Sequence, residues 1–141
     1  MLSNLANVYR QFDEIPKALS NFQAARAIIE DIGEKDGLAR ILMNISGIYE
    51  DTGDHQRQLE YSIEGLEINE RTNDAAYHAR ILGNVSSAYV GLENFTSALT
   101  FIERAIEESE RLAIASLVRG QKLVRATILM KHGRLDECGA C

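Results

Sequence analysis

"ARILMNISGIY" at residues 39–49 returns as "ARILGNVSSAY" at residues 79–89. Subtracting positions extends the echo along the chain. Asn4, Asn44 and Asn84 lie forty residues apart, as do Tyr9, Tyr49 and Tyr89. Leu2, Leu42 and Leu82 keep the same step, and so do Leu19, Leu59 and Leu99, then Glu30, Glu70 and Glu110. A fixed period in this range marks an array of stacked supersecondary units.

Each unit reads as two helices. Leu42, Ile45, Ser46 and Tyr49 fall at i, i+3, i+4 and i+7, one face of a helix. A turn follows, at Gly53-Asp54 in the second copy and at Gly133 in the fourth. A second helix then carries Ile15, Ala18, Leu19, Phe22, Ala25 and Ile29, repeated in the third copy as Phe95, Ala98, Leu99, Ile102, Ala105 and Ile106. The small residues Ala18, Ala25, Ala98 and Ala105 let two helices approach closely. The unit is a helical hairpin with about 17 residues per arm. A lone hairpin leaves one apolar stripe uncovered, so neighbours stack into a superhelix with one helix of each pair lining the inner curve.

The composition suits that architecture. The 141 residues are 45% hydrophobic and 26% charged, with no Trp and one Pro, the residue least tolerated inside helices. This length is one domain with a working core. No apolar run approaches the roughly 20 residues needed to cross a bilayer, and no secretory segment opens the chain. A net charge of -6 argues against a large phosphate-binding surface and hence against nucleic acid. Two cysteines, Cys138 and Cys141, are too few and too terminal for a disulfide framework; a cytoplasmic setting is expected.

These residues resemble the tetratricopeptide repeat (TPR), particularly its forty-residue form as in Pins-like scaffolds, kinesin light chain and bacterial signalling proteins. Leu42, Ile45, Ser46 and Tyr49 carry the likeness in the first helix, and Ala98, Ile102 and Ala105 in the second; "NLANVY", "NISGIY" and "NVSSAY" look like the asparagine-bearing first-helix motif of those scaffolds. The resemblance covers nearly the whole chain. It implies an all-α TPR solenoid, a right-handed superhelix of about three and a half repeats, with boundaries near 1–34, 35–74 and 75–114 and a partial unit over 115–141. Three departures stand out. His55, Gln58 and Ser62 replace the aromatic, Ala and aromatic residues the family prefers, which predicts looser packing of that helix. The third linker, Ala113-Ile114-Ala115, lacks the turn signal of Gly33 or Asn73-Asp74. Neither end carries the polar capping element that repeat arrays usually need, so the chain is expected to be a segment of a longer array.

Catalytic chemistry has no foothold in the pattern. His55, His78 and His132 sit in different repeats without metal-ligand spacing, and there is no phosphate-cradling glycine loop, nucleophile elbow or HExxH. "CGAC" at 138–141 has C-x-x-C spacing, yet Cys138 occupies the small-residue position of Ala18 and Ala98, and no second ligand pair exists. The expectation is a non-enzyme without cofactor or metal.

Arginine and asparagine remain to be explained. Asn is a mediocre helix former, yet it recurs mid-helix at Asn4, Asn44 and Asn84. Arg40 stands four residues before Asn44 and Arg80 four before Asn84, so each pair shares one face, opposite Leu42 and Ile45. In the repeat's geometry that face lines the inner groove. A row of amides can donate to and accept from the backbone of an extended peptide, while arginines grip carboxylates bidentately. In the Pins-like scaffolds the corresponding residues are understood to do this. The related carboxylate clamp is matched by Asn7, Asn44 and Arg80, but Ser3 and Asn84 stand where it requires basic residues, which argues against a true clamp. Glu50 and Asp51 on the same surface favour a mixed ligand over a purely acidic one. The same amides could instead bond to a neighbouring helix and set repeat spacing.

The expected function is a non-catalytic module binding a protein or peptide segment in its concave groove through Asn4, Asn7, Arg40, Asn44, Arg80 and Asn84. The alternative is a regulatory or sensory segment of a bacterial signalling protein, beside a cyclase, kinase or transcription regulator. Leu123, Val124, Thr127 and Met130 turn the last inner face apolar and raise self-association through that repeat. No nucleic acid or membrane partner is expected.

Overall fold

The computed structural model describes residues 15–72 and 74–138, with side-chain surroundings as far as Gly133. Every regular element among them is a helix: α1 (Ile15–Ile32), α2 (Lys35–Thr52), α3 (His55–Asn69), α4 (Ala75–Gly91), α5 (Phe95–Arg111) and α6 (Ala115–Cys138). They fall into two compact units, residues 1–74 and 75–141.

In the first unit α1 packs on α2 and α2 on α3. Ala18, Phe22 and Ala25 of α1 close a core with Ile41, Ile45 and Ile48 of α2, flanked by Ile15, Leu19, Ile29, Tyr49 and Tyr61. Both connections are two residues long and turn on a left-handed backbone. Gly33 has φ 81° and Gly53 φ 80°, values at which a Cβ meets the backbone. The Gly53 N–H donates to the last carbonyls of α2, and the Asp54 N–H to Tyr49 O at 2.9 Å. Asp54 then caps α3, its side chain accepting from Arg57 N at 3.2 Å.

The second unit repeats this grammar with different letters. Asn94 caps α5 by accepting from Ser97 N at 3.2 Å, as Asp54 does forty residues earlier. Glu93 takes the left-handed place of Gly53, with φ 59°. Ala113 takes that of Gly33, with φ 57°, so the third linker makes its turn without a glycine or asparagine to ease it. Ala79, Leu82, Val85 and Ala88 are fully buried, as are Ala39, Leu42, Ile45 and Ile48 in the first unit. The recurring serine is a joint between arms. Buried Ser86 donates to Ala98 O at 2.7 Å and Ser46 to Gln58 O at 2.9 Å, tying each first helix to the backbone of its partner.

Two expectations are corrected. The α3 residues Gln58 and Ser62 do not loosen the second hairpin; both are buried and hydrogen-bonded. Ser46 Oγ lies 2.6 Å from Ser62 Oγ, and Ser62 donates to Gln58 O at 2.8 Å. The Gln58 amide donates to Glu50 Oε2 at 2.8 Å, and its oxygen lies 2.8 Å from His55 Nδ1. A satisfied polar cluster replaces the aromatic packing, which removes the penalty that unpaired groups there would carry. The fourth unit, for its part, does not turn at Gly133. α6 runs through it to Cys138. The residue at the cap register of Asp54 and Asn94 is Arg134, which has no acceptor to offer a new helix N-terminus.

Candidate functional site

Arg40 and Asn44 lie one turn apart on α2, and Arg80 and Asn84 one turn apart on α4. In α2 this places them away from Leu42 and Ile45, which are fully buried; α4 does the same with Leu82 and Val85. Arg40, Arg80 and Asn84 are exposed and Asn44 is half-buried. Among the described residues neither asparagine side chain makes a hydrogen bond, and the Arg80 guanidinium makes no ion pair. Arg40 differs from its copy: its Nη2 lies 3.7 Å from Asp74 Oδ2. Glu50 stays exposed and accepts a hydrogen bond from the Gln58 amide at 2.8 Å. Asn4 and Asn7 lie outside the described residues.

Sequence reading took Tyr49 and Tyr89 as core residues and missed what their rings do. Tyr49 stacks on Tyr61 with centroids 5.5 Å apart, and Tyr89 on Phe101 at 5.6 Å. The forty-residue step between Tyr61 and Phe101 was the available signal. In the first unit this stack borders a recess of about 300 Å³ lined by Arg26, Tyr49, Arg57, Glu60, Tyr61 and Glu64. Arg57 sits 5.7 Å from the Tyr49 centroid. Arg26 bonds to Glu30 at 2.7 Å and to Glu64. Burial works against the Arg26 charge, but the Glu30 hydrogen bond and the Glu64 and Glu30 carboxylates outweigh it and hold the pKa above the usual arginine value. The cations of this recess are matched by its own anions, which makes it a joint between α1, α2 and α3.

The histidines are likewise engaged in packing. His78 Nδ1 lies 2.7 Å from Glu108 Oε2, and His132 stacks on Phe95 at 6.1 Å. Among the described residues no three His, Cys, Asp or Glu side chains gather as a metal site would require, and no helix is long and apolar enough to cross a membrane. Cys138 ends α6, while 139–141 lie outside the described residues.

Tetratricopeptide repeat models match residues 1–57 and residues 79–111, together well over half of the chain. No curated protein matches the sequence significantly. Among solved structures, the apo form of RapI superposes with a TM-score of 0.87 at 19% identity, over 94% of this chain and 48% of that one. A Rap protein complexed with Competence and Sporulation Factor gives 0.82 at 18% identity, over 96% and 38%. Nearly identical TPR-like repeats from Podospora anserina, described under kinesin light chain, give 0.82 at 15%, over 96% and 67%. The chain spans less than half the length of the two Rap structures. At these identities the likeness is one of fold.

Proposed function

Because the chain belongs to the tetratricopeptide repeat family, a protein-interaction repeat fold, we propose that it holds an extended partner segment through the arginine–asparagine pairs of its first helices. One observation carries this reading. Arg–x–x–x–Asn recurs at the repeat period on the side of α2 and α4 away from the buried residues, and among the described residues neither amide side chain makes a hydrogen bond. An unused amide in a helix interior costs helix propensity without return, whereas an amide facing a peptide backbone can both donate and accept. Asn44 and Asn84 take the backbone in this reading, and Arg80, with Arg40, takes acidic side chains. Asn4 continues the register by sequence, and Asn7 adds a second amide to the first copy.

The test begins with peptides selected from a random display library on the intact chain. Asn44→Ala with Asn84→Ala, and separately Arg40→Ala with Arg80→Ala, should each reduce their capture at least about ten-fold with helicity unchanged. Selected peptides that bind these variants as well as the parent chain would make the pairs structural.

A second reading has one observation in its favour, the fold likeness to a Rap protein complexed with a factor. In it the peptide-binding array belongs to a signalling protein and regulates an adjoining domain. Fusing the chain to its native neighbour and finding that domain's activity unmoved by a selected peptide would remove this reading while leaving the first intact.

A further inference from the structure

The face of α6 that the repeat pattern assigns to a hairpin partner is open, and it is not the face that carries the arginine–asparagine pairs. In α2 that partner-covered face is defined by contact. A Cβ added at Gly65 of α3 would lie 3.2 Å from Met43, 3.6 Å from Leu42 and 3.7 Å from the Ala39 carbonyl. Ala39, Leu42 and Met43 are accordingly buried, and Ser46 completes the face through its bond to α3. Forty residues on, Ala79, Leu82 and Ser86 are buried on α4, with Ser86 bonded to α5. Another forty on, α6 offers Arg119, Lys122, Leu123, Ala126 and, one turn further, Leu129 and Met130. Here Leu123 is 69% exposed, Leu129 51% and Met130 53%. Among the described residues no backbone folds back to cover them, since α6 continues through Gly133 to Cys138.

Two substitutions decide what fits. Where α2 and α4 bury Ala and Leu, α6 has Arg119 and Lys122. Lys122 already reaches Glu110 of α5 at 3.5 Å while remaining half exposed, and Arg119 is exposed. A covering helix of the ordinary apolar kind would take both charges out of water and bring no carboxylate to either, a cost set against the gain from burying leucines. A helix whose aliphatic stripe is flanked by carboxylates satisfies both halves of the face. From Arg119 to Met130 the face runs twelve residues, about 17 Å, enough for three turns of such a helix.

We propose that the open face of α6, built from Leu123, Ala126, Leu129 and Met130 with Arg119 and Lys122 on its edge, docks an amphipathic helix of a partner that carries acidic residues beside its apolar stripe. This is a second interaction surface, independent of the peptide-holding pairs. It places Leu123 and Met130, which the sequence pattern put on the inner face with Val124 and Thr127, on the hairpin face instead. Val124 keeps the register of Asn44 and Asn84.

Two synthetic helices with the same leucine–alanine stripe, one flanked by glutamates and one by lysines, test this by fluorescence anisotropy with the intact chain. The glutamate-flanked probe should bind about ten-fold more tightly. Arg119→Glu with Lys122→Glu should reverse the preference, Leu123→Asp should abolish binding of both, and Arg40→Ala with Arg80→Ala should change neither. All five sites are exposed, so circular dichroism of each variant should match the parent. Equal binding of the two probes, or none, overturns the proposal. So does a concentration-dependent dimer that Leu123→Asp dissolves while neither probe binds, because that assigns the face to a second copy.

Discussion

Replacing Gly53 by alanine and, in a separate protein, Ala113 by glycine perturbs one backbone conformation in opposite senses. Gly53 sits at φ 80° and Ala113 at φ 57°. A Cβ added at Gly53 would find nothing within 4 Å, so side-chain packing contributes no term and the backbone alone decides. Holding a Cβ in the left-handed region costs about 1–2 kcal/mol. Alanine returns about 0.4–1 kcal/mol of that by narrowing the unfolded ensemble. The difference predicts that Gly53→Ala loses about 1 kcal/mol and that Ala113→Gly gains a similar amount. Urea unfolding followed by far-ultraviolet circular dichroism reads both as midpoint shifts at constant slope. In thermal unfolding each should appear as about 2–4 °C, downward for Gly53→Ala and upward for Ala113→Gly. Gly53 and Ala113 lie in different compact units, so if two transitions are resolved each shift should attach to its own. A neutral Gly53→Ala, or an Ala113→Gly that destabilises, would refute the assignment of equivalent left-handed turns at these positions.

Gln121 links three helices of the second unit: its oxygen accepts from Ser109 at 2.7 Å and its amide donates to Ala79 O at 3.2 Å. Gln121→Ala should therefore cost about 2–3 kcal/mol in urea unfolding, and Gln121→Leu with Ser109→Ala should recover part of it, since removing both polar partners leaves less unsatisfied. Ile102→Ala, at a position 1% exposed, should open a cavity worth about 3 kcal/mol, measured the same way. Ser86→Ala should cost only about 1 kcal/mol, because a single neutral hydrogen bond is lost and alanine fits the register.

The fold was legible because packing repeats. Every hairpin must show its neighbours the same shape, so Leu42 and Leu82, Ile45 and Val85, and Ala18 and Ala98 could be aligned without a gap and were all found buried. Turns were legible where Gly33, Gly53 or Asn73-Asp74 announces them, and at Gly133 the signal misled, since α6 runs through it. Glu93 and Ala113 adopt the same backbone unannounced, because the surrounding helices impose it and a cost of about 1 kcal/mol is affordable in a packed unit. The polar cluster at Gln58 was misread for a related reason. A pattern that scores residues singly cannot see that Ser46, Ser62, Glu50 and His55 converge on one glutamine. The candidate site was legible as the residue pair that packing does not explain; the inequality of its two copies was not, because it depends on Asp74, far along the chain.

That inequality allows the site to be tested more finely than by deletion. Arg40 has Asp74 3.7 Å away, and its side chain is 62% exposed, so the pair is a loose surface contact worth no more than about 0.5 kcal/mol. Arg80 has Ile114 at the corresponding register and makes no ion pair among the described residues. If both arginines grip acidic side chains of the same partner, Arg80→Ala should weaken binding of the selected peptides more than Arg40→Ala. Asp74→Asn keeps a side chain able to hydrogen-bond at the start of α4 but removes the charge competing for Arg40. It should raise peptide affinity by roughly two-fold, the whole of a contact of that size. In the background of Arg40→Ala the same substitution should do nothing, because the competition is gone. An equal gain from Asp74→Asn with and without Arg40 would show that Asp74 repels the peptide directly, and Arg40 would lose its place in the site.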